Sequence, residues 1–397
     1  VAAAVLAGVG LPAPAYADTV RDEQYQLRTL DVGTAWRTAT GDGVIVAVLD
    51  SGVDATHPDL EGQVLAGADF VDGSTDGRHD FVGHGTTVAG LIAGRNDKGS
   101  GVAGIAPKAK ILPVRVLDAE NKYNDATVVA NGLRWAVDHG ARVVNISLGG
   151  GARSDLLADA LGYAAAHDVV IVACTGNVTA GATSTEVWYP ARESGVVAVT
   201  GLTGSTEAGV PASTGGIAAG GGAGGAAAAD PLWAGAITGR PTVLAAPAVN
   251  LIGARPGGHW RVQGTSFASP LVAATAALVR SRWPAMDAPN VVNRLIRTAR
   301  DLGEPGRDDR YGYGEVDPVA ALTATLPVVR RNPLLPADPA AVQRLSERVE
   351  PTPARRAAAP VAPLRAMLGA GAGMTVFAIL LVLGLVAARR WYARRRA

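Results

Sequence analysis

One cysteine, Cys174, is all that the 397 residues contain. A single thiol excludes an intramolecular disulfide and any zinc site built on several cysteines, so neither a disulfide scaffold nor a zinc ribbon fits. Charge of one sign is missing too. Lys and Arg total 36 against 35 Asp and Glu, leaving +1, and no overall bias points to nucleic acid. Charged residues as a class reach 18%, below the usual quarter. No repeat of fixed period is present, which argues against a solenoid or propeller. What the chain does have is small and apolar. Hydrophobic residues at 48% supply a substantial core, and 50 Gly with 24 Pro imply many turns and some low-complexity stretches. Length alone fits about two to three average domains, or one large α/β domain with appendages.

The ends read as envelope segments. Residues 1–10 (VAAAVLAGVG) are small and apolar, and Ala15-Tyr16-Ala17 follows as an A-x-A-like site. We read 1–17 as part of a secretory signal, with cleavage expected before Asp18. At the other end 366–388 carries no charge over 23 residues, about 34 Å as a helix and enough to cross a hydrocarbon core. Arg389, Arg390, Arg394, Arg395 and Arg396 follow, with Trp391 and Tyr392 at interface depth. Arginines on that flank predict a cytoplasmic tail, 389–397, and an extracytoplasmic body. The Pro-, Ala- and Arg-rich stretch 326–365 reads as an extended spacer. The expected partner of this end is therefore a lipid bilayer, through one helix.

The body, 38–325, alternates. Apolar, β-branched runs at 44–49, 111–117, 142–147, 169–173, 196–200 and 242–246 predict strands. Helical stretches at 84–93, 127–139 and 154–167 separate several of them. Runs apolar on both faces and separated by helices predict an α/β fold with a central parallel sheet covered on both sides. Sites in such folds form at the carboxyl ends of the strands. The Gly/Ala stretch 201–230 interrupts the pattern as a flexible loop.

Three segments carry candidate chemistry. Asp50 ends the first strand in VAVLDSGVD, where a carboxylate serves as a buried orienting acid or as an ordinary helix cap. His84, in GHGTTVAGLIA, sits between glycines ahead of a buried helix that would fix its ring, as a general base requires. Ser266, in GTSFASP, precedes the all-apolar run LVAATAALV. Pro270 is expected in that helix's first turn, putting Ser266 at the helix N-terminus, as N-cap or as nucleophile favoured by free N–H groups. The order Asp, His, Ser is not that of an α/β-hydrolase, which needs Ser, acid, His.

Together these segments resemble subtilisin-like serine proteases over 34–320. Asp50 in AVLDSGVDATHPDL, His84 in GHGTTVAG, Asn177 in VACTGN and Ser266 in GTSFASP carry the likeness. With its two ends, the chain looks like a mycosin, a membrane-anchored subtilase accompanying actinobacterial type VII secretion systems. The resemblance implies a subtilisin-like three-layer fold and a protein or peptide substrate, with no cofactor and no catalytic metal. It implies Ser266 as nucleophile, His84 as base and Asp50 as its orienting acid, with Asn177 and the Ser266 N–H forming an oxyanion hole. It also implies that Ser147, Leu148, Gly149 and Gly150 border the substrate cleft on one side, and Ala173, Thr175 and Gly176 on the other. A peptide would pair with the first of these segments as an added strand.

Some positions depart from the family. Thr87 stands where many secreted subtilisins have a second histidine, Thr175 where alanine is common, and Ala248 where glycine is frequent. Mycosins often carry disulfides, which a lone Cys174 cannot form within the chain; buried and structural is the expectation for it. Residues 18–37 are far too short to fold as an inhibitory prodomain and are expected to wrap the body. Asp69, Asp72, Asp76, His79 and Asp80 fit no EF-hand spacing, and a solvated loop is expected there rather than a calcium site. The leading function is an envelope-anchored endopeptidase processing secreted or secretion-system proteins. The alternatives are an interaction subunit stabilising a type VII secretion membrane complex and a general surface protease.

Overall fold

The computed structural model describes residues 19–96, 100–123, 125–178, 185–204 and 230–336. The expected signal (1–17), most of the Gly/Ala loop, the spacer beyond 336, the apolar span 366–388 and the basic tail 389–397 lie outside the described residues. Among the described residues no helix is long and apolar enough to cross a membrane.

Three short helices come first: α1 (Thr19–Asp22), α2 (Tyr25–Thr29) and α3 (Val32–Trp36). Seven strands then build one sheet: β1 (Ile45–Asp50), β2 (Ala68–Asp69), β3 (Lys110–Arg115), β4 (Val143–Ile146), β5 (Val170–Cys174), β6 (Val197–Leu202) and β7 (Leu244–Pro247). Their spatial order is β2-β3-β1-β4-β5-β6-β7, and every pairing is parallel. β4, β5, β6 and β7 are buried at every position, as a sheet covered on both faces requires. Six strands coincide with the apolar runs. The seventh, β2, has two residues, too few to show any periodicity.

The covering helices are α4 (His84–Ala93), α5 (Ala126–Asp138), α6 (Asp155–Ala166), α7 (Thr265–Arg282), α8 (Ala288–Arg297) and α9 (Pro318–Thr323). α4 and α7 pack together, α7 mainly across β4 to β7, while α5 pairs with α6, α5 lying against β1 and β3 and α6 against β5. Asp125 and Ser154 cap α5 and α6 by accepting from Thr127 N and Leu157 N. An antiparallel hairpin, β8 (Leu251–Arg255) and β9 (Gly258–Val262), leads directly into α7. β9 is largely exposed, so it carried no buried pattern to read.

The first helices are fastened to the body by polar groups. The Gln24 amide, fully buried, makes paired bonds with Ala103: Nε2 donates to Ala103 O at 3.0 Å and Oε1 accepts from Ala103 N at 2.8 Å. Tyr25 OH donates to Val249 O at 2.7 Å and Trp36 Nε1 to Ile105 O at 2.9 Å. The Arg21 guanidinium reaches Gly101 O, Asn96 Oδ1, Arg95 O and Ser100 O.

The acidic segment before His84 is held by arginines and turn amides. Arg115 donates to Asp69 at 2.7 Å and to Asp72 at 3.1 Å, and Arg78 pairs with Asp76. Asp80 faces elsewhere, toward α4.

Candidate active site

β1 delivers Asp50 at its carboxyl end, wholly buried. Its Oδ1 lies 2.7 Å from His84 Nδ1 and also accepts from Ser51 N at 2.8 Å. Oδ2 is buried with no partner among the described residues. His84 opens α4, and the approach of strand to helix explains Gly85. A Cβ there would collide with Gly52 O and press on Asp50 Cβ. Burial pulls the imidazolium of His84 down, but the Asp50 charge and hydrogen bond, helped by Asp80, outweigh it. The pKa of His84 stands above its ordinary value.

Asp80 ties this corner together, a role the sequence pattern did not reveal. Its Oδ1 accepts from Ser51 Oγ, Val82 N and Gly83 N, and its Oδ2 from Thr86 N and Thr86 Oγ1, all between 2.6 and 3.0 Å. It therefore satisfies free N–H groups in the first turn of α4, as a capping carboxylate does. Ser51 Oγ in turn accepts from Gly85 N at 3.0 Å. From the hairpin, Arg255 donates to Val82 O at 2.7 Å and covers Gly83.

Ser266 is the second residue of α7. The expectation for Pro270 needs correcting: it is the sixth residue, inside the helix rather than in its first turn. A proline there cannot donate to the carbonyl four residues back, Ser266 O. That carbonyl instead accepts from Ser147 Oγ at 2.7 Å. Ser147 Oγ also accepts from Asn145 Nδ2 at 2.8 Å and lies 3.1 Å from Ser269 Oγ. So Ser147, expected at the cleft border, also supports the backbone of Ser266 from beneath.

Asn177 meets the same helix. Its Oδ1 accepts from Thr265 N at 2.9 Å and Thr265 Oγ1 at 3.0 Å. With the oxygen so engaged, Nδ2 is the group left over as a donor. Asn177 and Ser266 line one cleft of about 540 Å³ with His84, Ser147, Leu148 and Gly149. Cys174, Ala173, Thr175 and Gly176 lie along and just beyond β5, beneath that cleft, all fully or nearly fully buried.

Two details differ from expectation. Gly150 is already paired: it donates to Tyr189 O at 3.0 Å and accepts from Tyr189 N at 2.8 Å. Of the segment 147–150, Ser147, Leu148 and Gly149 line the cleft. Trp188 lies against Gly176, whose φ of +107° and blocked Cβ direction leave room only for glycine. The ring lines the cleft, and nothing in its sequence neighbourhood marked it.

Cys174 is buried, and burial pushes its thiol up to about 11. Ser266 Oγ points at its sulfur, 3.8 Å away. A thiol in that state is a small apolar neighbour, not a nucleophile.

The subtilase family profile matches residues 41–314. Fervidolysin of Fervidobacterium pennivorans is 35% identical over 342 residues, which cover 81% of this chain but 46% of fervidolysin, so the chain spans about half of that relative. Subtilisin Savinase of Lederbergia lenta is 37% identical over 287 residues, covering 72% of this chain and 93% of the enzyme. Among solved structures, the MycP3 protease from the type VII (ESX-3) secretion system superposes with a TM-score of 0.61 at 30% identity, covering 78% of this chain and 90% of its own.

Proposed function

The chain belongs to the subtilase family, and we propose that it is a serine endopeptidase working through Asp50, His84, Ser266 and Asn177. The observation that carries this reading is the 2.7 Å pairing of His84 with a buried Asp50, on the same cleft as a helix-terminal serine. Turning Ser266 Oγ from Cys174 toward His84 is a rotation about one side-chain bond. The hydroxyl oxygen then attacks the scissile carbonyl while its proton passes to His84 Nε2. Asp50 Oδ1 accepts from Nδ1–H, fixes that tautomer and stabilises the imidazolium. Negative charge developing on the substrate oxygen is met by Asn177 Nδ2 and the N-terminal dipole of α7. His84 returns the proton to the leaving amine, and water then opens the acyl-enzyme in the reverse order. The backbone of 147–149 supplies the edge along which a peptide would lie.

Likeness to MycP3, and the apolar and arginine-rich pattern of 366–397, support a finer reading. The enzyme is held in the cell membrane by one helix, with its catalytic body outside the cytoplasm, and acts on secreted proteins or components of a type VII secretion complex.

A fluorophosphonate probe tests the chemistry. Labelling of the purified chain, abolished by Ser266→Ala and by His84→Ala, is the expected result. A folded chain that stays unlabelled refutes the constitutive protease and favours the interaction-subunit alternative. Extraction of the chain from membranes by alkaline carbonate, without detergent, would refute the anchor.

A further inference from the structure

Away from the cleft, the turn at Pro58–Leu60 and strand β9 bring two imidazoles and a carboxylate together. One donor atom each of His57, Asp59 and His259 lies within 4.8 Å of the other two. His259 Nε2 is 2.7 Å from Asp59 Oδ2, and His57 Nδ1 is 3.9 Å from the same oxygen. The two rings meet edge to face at 5.4 Å.

The His57 ring is oriented on both sides. Nε2–H donates to Gly258 O at 3.0 Å, while Nδ1 accepts a long bond, 3.2 Å, from Asp59 N. These partners fix the tautomer with the lone pair on Nδ1, which caps the turn at Asp59 N and lies 3.9 Å from the Asp59 carboxylate. Histidines that bind metals are held in this way, with one ring nitrogen donating to a carbonyl and the other turned toward the ion. An ion pair with Asp59 needs only one of the two histidines. The second imidazole caps the turn only through that long bond to Asp59 N, and an ion taking Nδ1 would displace that bond alone.

We propose that His57, Asp59 and His259 form a zinc site that staples the β8–β9 hairpin to the turn at Pro58. Two nitrogens and one oxygen suit a borderline divalent ion such as zinc, whereas calcium and magnesium prefer oxygen throughout. Bonds of about 2.0–2.1 Å in a tetrahedron put donors about 3.3 Å apart, between the 2.7 and 3.9 Å separations here. His259 stands 28% exposed on the hairpin; its rotation closes the remaining gap, and its open side leaves the fourth position to water. The hairpin it would fix runs through Gln263 and Gly264 into Ser266, and carries the Arg255 that holds Val82 O beside His84.

The test uses the 397-residue chain with Ser266→Ala, so that self-digestion and the proposed activity play no part. After stripping with EDTA, zinc chloride is titrated calorimetrically, and cobalt(II) is added separately to read its visible absorption. One zinc per chain, tetrahedral cobalt bands and a rise of a few degrees in Tm are expected. His259→Gln, on an exposed strand where folding is not at risk, should weaken binding at least tenfold and abolish the Tm rise. His84→Ala should change neither. No binding by the parent, binding undiminished in His259→Gln, or binding lost in His84→Ala would each overturn the proposal.

Discussion

Pro270 and Ser147 make a coupled pair that a double-mutant cycle can interrogate. Ser147→Ala removes the one side-chain donor to Ser266 O among the described residues, and proline at 270 cannot supply the helical N–H in its place. The same change strips Asn145 Nδ2 of its acceptor. Both groups are deeply buried, and an orphaned buried donor or acceptor costs about 1–3 kcal/mol. Allowing for partial relaxation, the loss should be about 2–4 kcal/mol, or roughly 5–10 °C in Tm. Pro270→Ala restores an N–H four residues after Ser266. In that background the carbonyl keeps a partner, and Ser147→Ala should cost about 1 kcal/mol less. Tm by calorimetry and the rate of fluorophosphonate labelling are the assays. The labelling rate should fall in Ser147→Ala and recover partly in the double variant, since the supported carbonyl belongs to the proposed nucleophile. An unchanged Tm in Ser147→Ala, or two effects adding within about 0.5 kcal/mol, would refute the reasoning.

Other perturbations follow from the same geometry. His84 must be neutral to accept a proton, and its pKa is raised, so the acid limb of kcat/KM should lie above the ordinary histidine value of about 6.5. Asp50→Asn removes the leading upward influence and leaves burial, moving that limb down while kcat falls by about 10⁴; an unmoved limb would contradict the assignment. Asn177→Ala should lower kcat by about 10²–10³, a figure known from subtilisins, with little change in KM. A loss confined to KM would speak against an oxyanion role. Asp80→Ala deprives five donors around α4 of their acceptor and should lower stability by more than about 2 kcal/mol in urea unfolding. Cys174 should resist alkylation in the native protein at pH 8 and react fully in denaturant; rapid native labelling would show the thiol to be accessible.

How far the sequence could be read followed where chemistry left a periodic or compositional trace. Strands such as 170–174, buried on both faces, are uninterrupted apolar runs and announce themselves. Asp50, His84, Asn177 and Ser266 stand in motifs of small residues whose need is visible in the fold, as at Gly85. Pro270 misled because a helix interior normally excludes proline; the serine that makes it tolerable lies over a hundred residues earlier, at 147. Asp80 looked like one member of an acidic run, since only folding reveals that it turns toward α4 while Asp69, Asp72 and Asp76 meet arginines and turn amides. Trp188 and the β8–β9 hairpin were illegible for a similar reason. Their partners come from distant segments, and an exposed strand such as β9 has no buried face to betray it.

The clasp formed by Arg21, Gln24, Tyr25 and Trp36 bears on how such an enzyme would be timed. These side chains grip Ala103, Ile105, Val249 and the carbonyls of Arg95 and Gly101, and no residue of 19–37 lines the cleft among the described residues. Cutting this segment would loosen the catalytic body without uncovering it. Residues 19–37 are therefore ill suited to serve as a safety catch released by cleavage, and any restraint on activity has to act on the cleft from somewhere else.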